Sequence, residues 1–270
     1  MAFATINGIQ LYYEVHGEGP PLLLITGFNA EANQWQHQIR TLKKHFHVIC
    51  LDNRGIGKSD KPPGPYNTEL MANDCAALLT HLDIGKTHVC GYSLGGRIAQ
   101  YLAINHADRI DKLVLASTSI RSYALSRYIL TMLIEMIRQG LPNHFRIKAM
   151  LPWFYSPAFF NDERKVDYFC HFLGHQNLPN AAALTAQLAA VNSHNPGERL
   201  RTIQHQTLIT SSAEDLLCPQ EYVDELHRFI PHARRIIMPK GGHAYIHEYA
   251  DDFNAILLAF LNEPEKTHDQ

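Results

Sequence analysis

The stretch "CGYSLGG" at residues 90–96 places one serine among glycines, directly after an apolar run. It contains the pattern G-x-S-x-G from Gly91 to Gly95, in which a chain turns sharply from a strand into a helix. Glycine is required wherever a β-carbon would collide across so tight a turn. The stretch therefore predicts a strained turn that presents the hydroxyl of Ser93, against the plain alternative of an incidental glycine-rich turn.

The composition is that of an ordinary globular protein. The 270 residues are 46% hydrophobic and 19% charged, with a net charge of −2, which argues against a nucleic-acid partner. The five cysteines are scattered and form no C-x-x-C pair, so neither a disulfide framework nor a zinc site is expected. No signal peptide or membrane-length apolar run is evident, so we expect a cytoplasmic protein without a membrane contact.

Short apolar strands alternate with helical segments over most of the chain. The N-terminal residues predict a strand pair that turns at Asn7-Gly8. Further strands are predicted at 21–26, 47–52, 87–92, 111–118, 205–212 and 233–239, and helices at 69–82, 219–230 and 248–262. Such alternation is typical of a mostly parallel sheet with right-handed crossovers.

Residues 120–198 interrupt this alternation and are called the cap below. They contain apolar helical stretches around an aromatic cluster, and convincing strand patterns are absent from them. The interruption predicts a helical cap over one end of the sheet. The core is then predicted to comprise residues 1–119 and 199–270.

A nucleophilic serine needs a histidine base, and the histidine needs an acid that orients it. In this architecture the acid and then the histidine should follow the serine, in loops after later strands. The segment "SSAEDLLCP" offers Glu214 and Asp215, and "KGGHAYIHE" offers His243 after two glycines that follow a predicted buried strand. His247 is the other histidine near this position that could be the base, but it lies one turn later, where a residue at a helix end is more typical.

Five segments of the chain carry a resemblance to a known family. They are "TGFNAEANQW" (26–35), "LDNRGIGKSDKP" (51–62), "CGYSLGG", "SSAEDLLCP" and "MPKGGHAYIHEYADDFNAILLAFL" (238–261). Taken in this order, they resemble the α/β-hydrolase superfamily over nearly the whole chain outside the cap. The resemblance is to its serine-nucleophile branch, which includes 3-oxoadipate enol-lactonases, aminoacrylate hydrolases and small carboxylesterases.

The resemblance implies an α/β-hydrolase fold, with a mostly parallel central sheet flanked by helices and a helical cap after the sixth strand. It implies a catalytic triad of Ser93, Asp215 and His243, because Asp215 and Pro219 fit the family's acid motif. The family's oxyanion hole implies two backbone donors, the amides of Leu94 and Phe28. One departure is that Thr26-Gly27 stands where the family usually has His-Gly.

A serine nucleophile predicts hydrolysis of a small carboxylic ester or lactone through an acyl-enzyme. No metal or cofactor is expected, because the chain shows neither an H-E-x-x-H arrangement nor a dinucleotide fingerprint. Three alternatives remain open at this stage. They are a lyase resembling the menaquinone-biosynthesis enzyme, a cofactor-free perhydrolase, and a ligand-sensing signal protein with slow turnover.

The substrate pocket is predicted from the cap and its entrance. Trp153 and Phe154 are the aromatic residues expected to line it. Arg121, directly after the strand at 111–118, is a candidate for binding a substrate carboxylate. A small-molecule ester or lactone is the only partner that the sequence predicts.

Overall fold

The computed structural model of the chain describes residues 2–174 and 180–264, of which residues 172–174 are described by their backbone alone. In this part of the chain, eight strands form one sheet. The strands are β1 (Ala2–Ile6), β2 (Ile9–His16), β3 (Pro21–Ile25), β4 (His47–Leu51), β5 (Thr87–Tyr92), β6 (Ile110–Ala116), β7 (Gln206–Ser212) and β8 (Arg234–Met238). The strand predictions agree with these bounds to within two residues.

The strand order across the sheet is β1-β2-β4-β3-β5-β6-β7-β8. β1 pairs with β2 and β2 with β4 in antiparallel fashion, whereas the pairs from β4 to β8 are parallel. The carboxyl ends of parallel strands lie at one edge of a sheet, so the loops after β3, β5, β7 and β8 meet there. This meeting of loops positions the candidate site.

Ten α-helices are found in the described residues. They are α1 (Gln36–Leu42), α2 (Thr68–His81), α3 (Leu94–Asn105), α4 (Ala124–Arg138), α5 (Asn143–Phe154), α6 (Glu163–Gly174), α7 (Ala181–Ser193), α8 (Gln220–Phe229), α9 (Tyr245–Glu248) and α10 (Ala250–Leu261). β3 shows why both faces need a helical cover. Leu22 and Leu24 pack into one core cluster and Leu23 and Ile25 into the other, because successive side chains alternate between faces.

The cap helices α4 to α7 lie between β6 and β7 in the chain, so a helical insertion follows the sixth strand as predicted. α4 packs against α7 and α5 against α6, and aromatic residues fill the space near α5 and α6. The boundaries at 120–198 stay a prediction.

The structure corrects two details of the sequence prediction. β8 is the edge strand of the sheet and not a buried one, and its Ile237 is 42% exposed. The predicted helix over 248–262 begins at Ala250 and is preceded by the four-residue α9. In the described ranges, no helix has the length and apolar character that a membrane crossing requires.

Candidate active site

The turn between β5 and α3 holds Ser93 in a conformation that few non-glycine residues adopt, with φ of 55° and ψ of −116°. A β-carbon on Gly91 would lie 2.3 Å from the carbonyl oxygen of Gly95, and one on Gly95 would lie 2.1 Å from the carbonyl oxygen of Ile25. Neither position therefore accepts a side chain. Backbone strain of this kind persists only where the surroundings enforce it, and it is concentrated at functional sites.

The neighbouring strand holds the backbone of Ser93 in place. The Ser93 amide donates to the carbonyl of Ala116 at 2.9 Å, and the Thr118 hydroxyl donates to the carbonyl of Ser93 at 2.9 Å. Gly96 allows this approach, because a β-carbon there would lie 2.6 Å from the Thr118 side chain. Gly96 is therefore a third glycine that this turn requires.

The structure brings Ser93, His243 and Asp215 into one hydrogen-bonded chain. His243 Nε2 lies 3.0 Å from Ser93 Oγ, and His243 Nδ1 lies 2.9 Å from Asp215 Oδ2. His243 is 3% exposed and Asp215 4% exposed. Asp215 Oδ1 also accepts from the amides of Leu217 and Cys218, at 2.9 and 2.8 Å. These amide bonds fix the carboxylate so that it can orient the imidazole.

Glu214, the other acidic candidate, points to a different partner. Its Oε2 accepts from the amide of Gly241 at 2.8 Å. Gly241 is two residues before His243, so Glu214 supports the loop that carries the histidine. The sequence offered both acids, and the structure places Asp215 against the imidazole.

The loop of His243 is held from the sheet and from α9. The Tyr92 hydroxyl and the Ser117 hydroxyl donate to the carbonyl of His243, at 2.9 and 3.3 Å. Glu248 Oε1 accepts from the amide of Gly242 at 2.7 Å. Sequence reasoning missed the roles of Tyr92 and Glu248, since nothing in their local pattern marks them.

Contacts between this loop and the end of α5 join the cap to the loop of His243. Glu248 Oε2 accepts from the Ser156 hydroxyl at 2.6 Å, and the amide of Ala244 donates to the carbonyl of Phe154 at 2.8 Å. A β-carbon on Gly242 would lie 2.5 Å from that same carbonyl. These contacts hold the loop of His243 against the cap.

His247 lies on the same cavity but has a different partner. Its Nε2 is 3.0 Å from the carbonyl of Gln34, to which a neutral imidazole donates. Desolvation lowers the pKa of His247 to about 4, which keeps the ring neutral at physiological pH. A neutral histidine that donates to a backbone carbonyl suits a structural role.

Phe28 and Leu94, the residues of the predicted oxyanion hole, line the cavity beside Ser93. Leu94 is the first residue of α3, where backbone amides lack helical partners and the helix dipole favours negative charge. This location suits a donor to an oxyanion on the carbonyl that Ser93 would attack.

The loop before Phe28 keeps its support although it has Thr26 instead of a histidine. Asn53 Nδ2 donates to the carbonyl of Thr26 at 3.2 Å and to its hydroxyl oxygen at 3.1 Å. The amide of Gly27 donates to Gln34 Oε1 at 2.9 Å. The side chains of Asn53 and Gln34 thus hold the backbone that presents the Phe28 amide.

A cavity of about 550 Å³ opens beside Ser93 and His243. Cap residues form its apolar wall: Leu130, Leu133, Ile147, Met150, Leu151 and Phe154. The Phe154 ring lies edge-on to the His243 ring at a centroid distance of 5.7 Å. Phe154 is thus at the place predicted for it.

The structure does not place the other two predicted pocket residues on this cavity. Arg121 Nε lies 3.1 Å from Glu225, and its guanidinium covers the Tyr222 ring at 5.2 Å, with half of the side chain exposed. Trp153 packs against a small cluster that includes Ile129. Both expectations are wrong. An ion pair holds Arg121 on the surface, and Trp153 lies on a different side of α5 from its neighbour Phe154.

No group of three or more metal-ligating side chains is found among the residues that the structure describes. All five cysteines are free and buried. Burial raises the pKa of Cys50, Cys75, Cys90 and Cys218 well above the ordinary range of a thiol, so they stay protonated.

Comparison with known proteins identifies the family. The family profile described as "alpha/beta hydrolase fold" matches residues 20–146. A protein of Caulobacter segnis named RutD, described as a proposed carbamate hydrolase, is 30% identical over 273 residues, which cover 97% of this chain and 99% of the relative. The chain belongs to the α/β-hydrolase family, which confirms the predicted fold class and resemblance.

Solved structures agree with this assignment. The enol-lactonase from Burkholderia xenovorans LB400 superposes with a TM-score of 0.86 at 27% identity, covering 97% of this chain and 100% of that one. A thermophilic esterase from Thermogutta terrifontis gives a TM-score of 0.81 at 27% identity, covering 94% and 93% of the two chains. These relatives support a hydrolase that acts on a small molecule.

Proposed function

We propose that the protein is a serine hydrolase that cleaves a small carboxylic ester or lactone through an acyl-enzyme on Ser93. One observation carries the proposal. His243 Nε2 lies 3.0 Å from Ser93 Oγ while its Nδ1 lies 2.9 Å from the buried carboxylate of Asp215. This is the geometry in which an imidazole accepts the serine proton as the hydroxyl attacks a carbonyl.

The reaction then follows from the surrounding groups. Ser93 Oγ bonds to the carbonyl carbon as its proton moves to His243, and the amides of Phe28 and Leu94 stabilise the oxyanion. The carbon–oxygen bond to the leaving group breaks, and the imidazolium protonates that oxygen. A water molecule, deprotonated by His243, hydrolyses the acyl-enzyme and regenerates Ser93.

The cavity supports a small substrate with an apolar portion. Its volume of about 550 Å³ lies in the range of small-molecule sites, and its cap side is lined by leucine, isoleucine and methionine. Acyl groups of a few carbons fit this description better than long polar chains.

Carbamate hydrolysis is the second candidate function. It is favoured by the Caulobacter segnis relative, whose similarity extends over 97% of this chain. A carbamate carbonyl would be attacked by Ser93 in the same way, with the same two amides facing the oxyanion. The two functions differ in the group left on Ser93, which is a carbamoyl group for a carbamate and an acyl group for an ester or lactone, and in the fit of the cavity.

The test is steady-state kinetics on p-nitrophenyl acetate, p-nitrophenyl butyrate, γ-lactones and the matching p-nitrophenyl carbamate. We expect ester or lactone turnover with kcat of about 1–10³ s⁻¹, falling on the order of 10⁴-fold in Ser93→Ala. Higher kcat/KM on the carbamate would favour the second function. A wild-type protein that turns over none of these substrates at more than about one per minute would contradict both functions and favour the ligand-sensing alternative.

A further inference from the structure

The charge on the cavity wall is unbalanced. Besides its histidines, the cavity is lined in the described part of the chain by four residues of the ordinarily charged types, namely Glu31, Lys61, Arg97 and Arg146. Burial raises the pKa of Glu31 and the positive charge of Lys61 opposes that effect, so these two residues partly offset one another in charge. Arg97 and Arg146 have no carboxylate within ion-pair distance among the described residues.

Arg97 is held by neutral acceptors. Its Nη1 donates to the Ser122 hydroxyl at 2.6 Å and to the carbonyl of Val191 at 2.8 Å. Its Nη2 donates to the Ser119 hydroxyl at 3.0 Å and to the carbonyl of Arg121 at 3.2 Å. These four bonds join α3 to both ends of the cap, so Arg97 is a fixed positive charge whose terminal donors are already used.

Arg146 differs from Arg97, because most of its donors are unused. The residue is 3% exposed, and the described residues give it one hydrogen bond, from Nη2 to Asn143 Oδ1 at 2.9 Å. Its Nε is buried and has no partner in the described part of the chain. Burial lowers the pKa of Arg146, and no acidic group offsets that effect. A buried guanidinium normally has its donors satisfied, so this one requires an explanation.

A packing role for the side-chain stem does not explain this burial. Long cationic side chains that cover apolar surface keep their charged group in water. α5 offers such positions, because His144, Phe145 and Lys148 are all exposed. Arg146 is instead turned inward onto the cavity.

We propose that Arg146 binds a carboxylate of the substrate, at the end of the cavity far from Ser93. This inference rests on the proposed function. A guanidinium fork matches a carboxylate in a bidentate manner, and the fixed charge of Arg97 on the same cavity adds to the attraction. The ligand class is a small acyl compound that bears a free carboxylate.

The position of α5 sets the spacing within such a substrate. Phe154, at the end of α5, contacts the His243 ring, and Arg146 lies eight residues earlier, about 12 Å along the helix. Ile147, Met150 and Leu151 line the cavity between them. The substrate is therefore a carboxylate joined by a short apolar chain to the carbonyl that Ser93 attacks.

The probes are the mono-p-nitrophenyl esters of adipic and suberic acid, compared with the same compounds after methylation of the free carboxyl. Arg146→Gln keeps a group that can donate to Asn143 and removes the charge. We expect it to lower kcat/KM about 10- to 100-fold on the anionic esters, mainly through KM, and less than about 3-fold on the neutral ones. Arg146→Lys should recover part of the loss.

The matched control is Lys148→Gln, which removes an exposed charge from the same helix and should leave both substrate classes unaffected. Because Arg146→Gln removes a buried unpaired charge, its melting temperature should be equal to or higher than that of the wild type. An equal fall on anionic and neutral esters, a fall on neither, or a lower melting temperature with both activities reduced would overturn the proposal.

Binding is measured separately, so that failure of the proposed function can be recognised. Calorimetric titration of Ser93→Ala with the adipate half-ester needs no turnover. We expect saturable binding that is at least about 10-fold weaker in Ser93→Ala/Arg146→Gln. Equal affinity of the two proteins, or no binding to Ser93→Ala at millimolar ligand, would overturn the role of Arg146. Absence of turnover with this binding intact would overturn the hydrolase and leave the carboxylate site standing.

Discussion

The two ends of the cavity differ in how completely their polar groups are satisfied. At the sheet end, Asp215 accepts from two amides and from His243, and His243 also contacts Ser93. At the cap end, Arg146 has one hydrogen bond and a buried Nε without a partner among the described residues. A network whose hydrogen bonds are all formed fixes the geometry of its groups, whereas a cation with unused donors can bind a ligand. In the function that we propose, the sheet end carries out the chemistry and the cap end selects the substrate.

The difference leads to a general expectation for variants. Changes at the sheet end should alter kcat for every substrate, because they act on the reacting groups. Changes at the cap end should alter the preference among substrates. The predictions below test that division, from the largest expected effect to the smallest.

Asp215→Asn should reduce kcat on the order of 10⁴-fold on anionic and neutral esters alike. The amide cannot stabilise the imidazolium and favours the wrong tautomer of His243. Stopped assays at high enzyme concentration measure the residual rate. The matched control is Glu214→Gln, which can still accept from the amide of Gly241 and should retain most activity. A larger loss in Glu214→Gln than in Asp215→Asn would reverse the assignment of the acid.

Glu248→Ala should lower kcat about 10-fold, because the amide of Gly242 and the Ser156 hydroxyl both lose a charged acceptor. The loop of His243 then loses a tie to the cap. The exposed Asp252 provides the control as Asp252→Ala, which should behave as the wild type in the same assay. An unchanged kcat in Glu248→Ala would show that the cap does not position the histidine.

Stability should fall in acid because of His194, which joins the end of α7 to the core. The residue is 2% exposed between Thr68 and Gln100, and burial followed by the charge of Arg97 lowers its pKa well below the ordinary value. Its folded-state pKa is lower than its unfolded-state pKa. The contribution of neutral His194 to the free energy of unfolding is therefore complete above the pKa of the unfolded chain, near 6.5. It is lost as the pH falls below that value.

Urea unfolding at pH 7.5, 6.0 and 5.0 measures this effect. The single proton contributes a slope of up to about 1.4 kcal/mol per pH unit in the free energy of unfolding. His194→Gln should flatten the acid limb by that contribution, whereas His45→Gln, at an exposed site, should not. Identical slopes in His194→Gln and the wild type would show that His194 is not kept neutral by the fold.

The core could be predicted from sequence because its requirements are local. Strands buried on both faces must be apolar runs, and β3 and β5 were recognisable for that reason. Ser93 lies between Gly91 and Gly95, and His243 follows two glycines, because the turns at these places leave no room for side chains. The choice between Asp215 and Glu214 needed the spacing to Pro219. The catalytic roles of these residues stay predictions, although the structure places them in contact.

The supports of the site and its cap end could not be predicted in the same way. Glu248 and Ser156 are 92 residues apart, so their hydrogen bond leaves no local pattern. The carboxylate-binding role that the sequence suggested for Arg121 fails because Glu225, far along the chain, pairs with it. Arg146 lies in a helix with other cations, and only the rotation of α5 shows which of them faces the cavity.

The most direct test of the central claim is intact-mass spectrometry after reaction with a fluorophosphonate, which traps an activated serine irreversibly. The account predicts one adduct per wild-type chain, located at Ser93 by peptide mapping, and none on Ser93→Ala under the same conditions. Asp215→Asn should react far more slowly, since its His243 is poorly oriented. A wild-type protein that stays unmodified, or a Ser93→Ala protein that carries the same adduct, would contradict the assignment of Ser93 as the nucleophile.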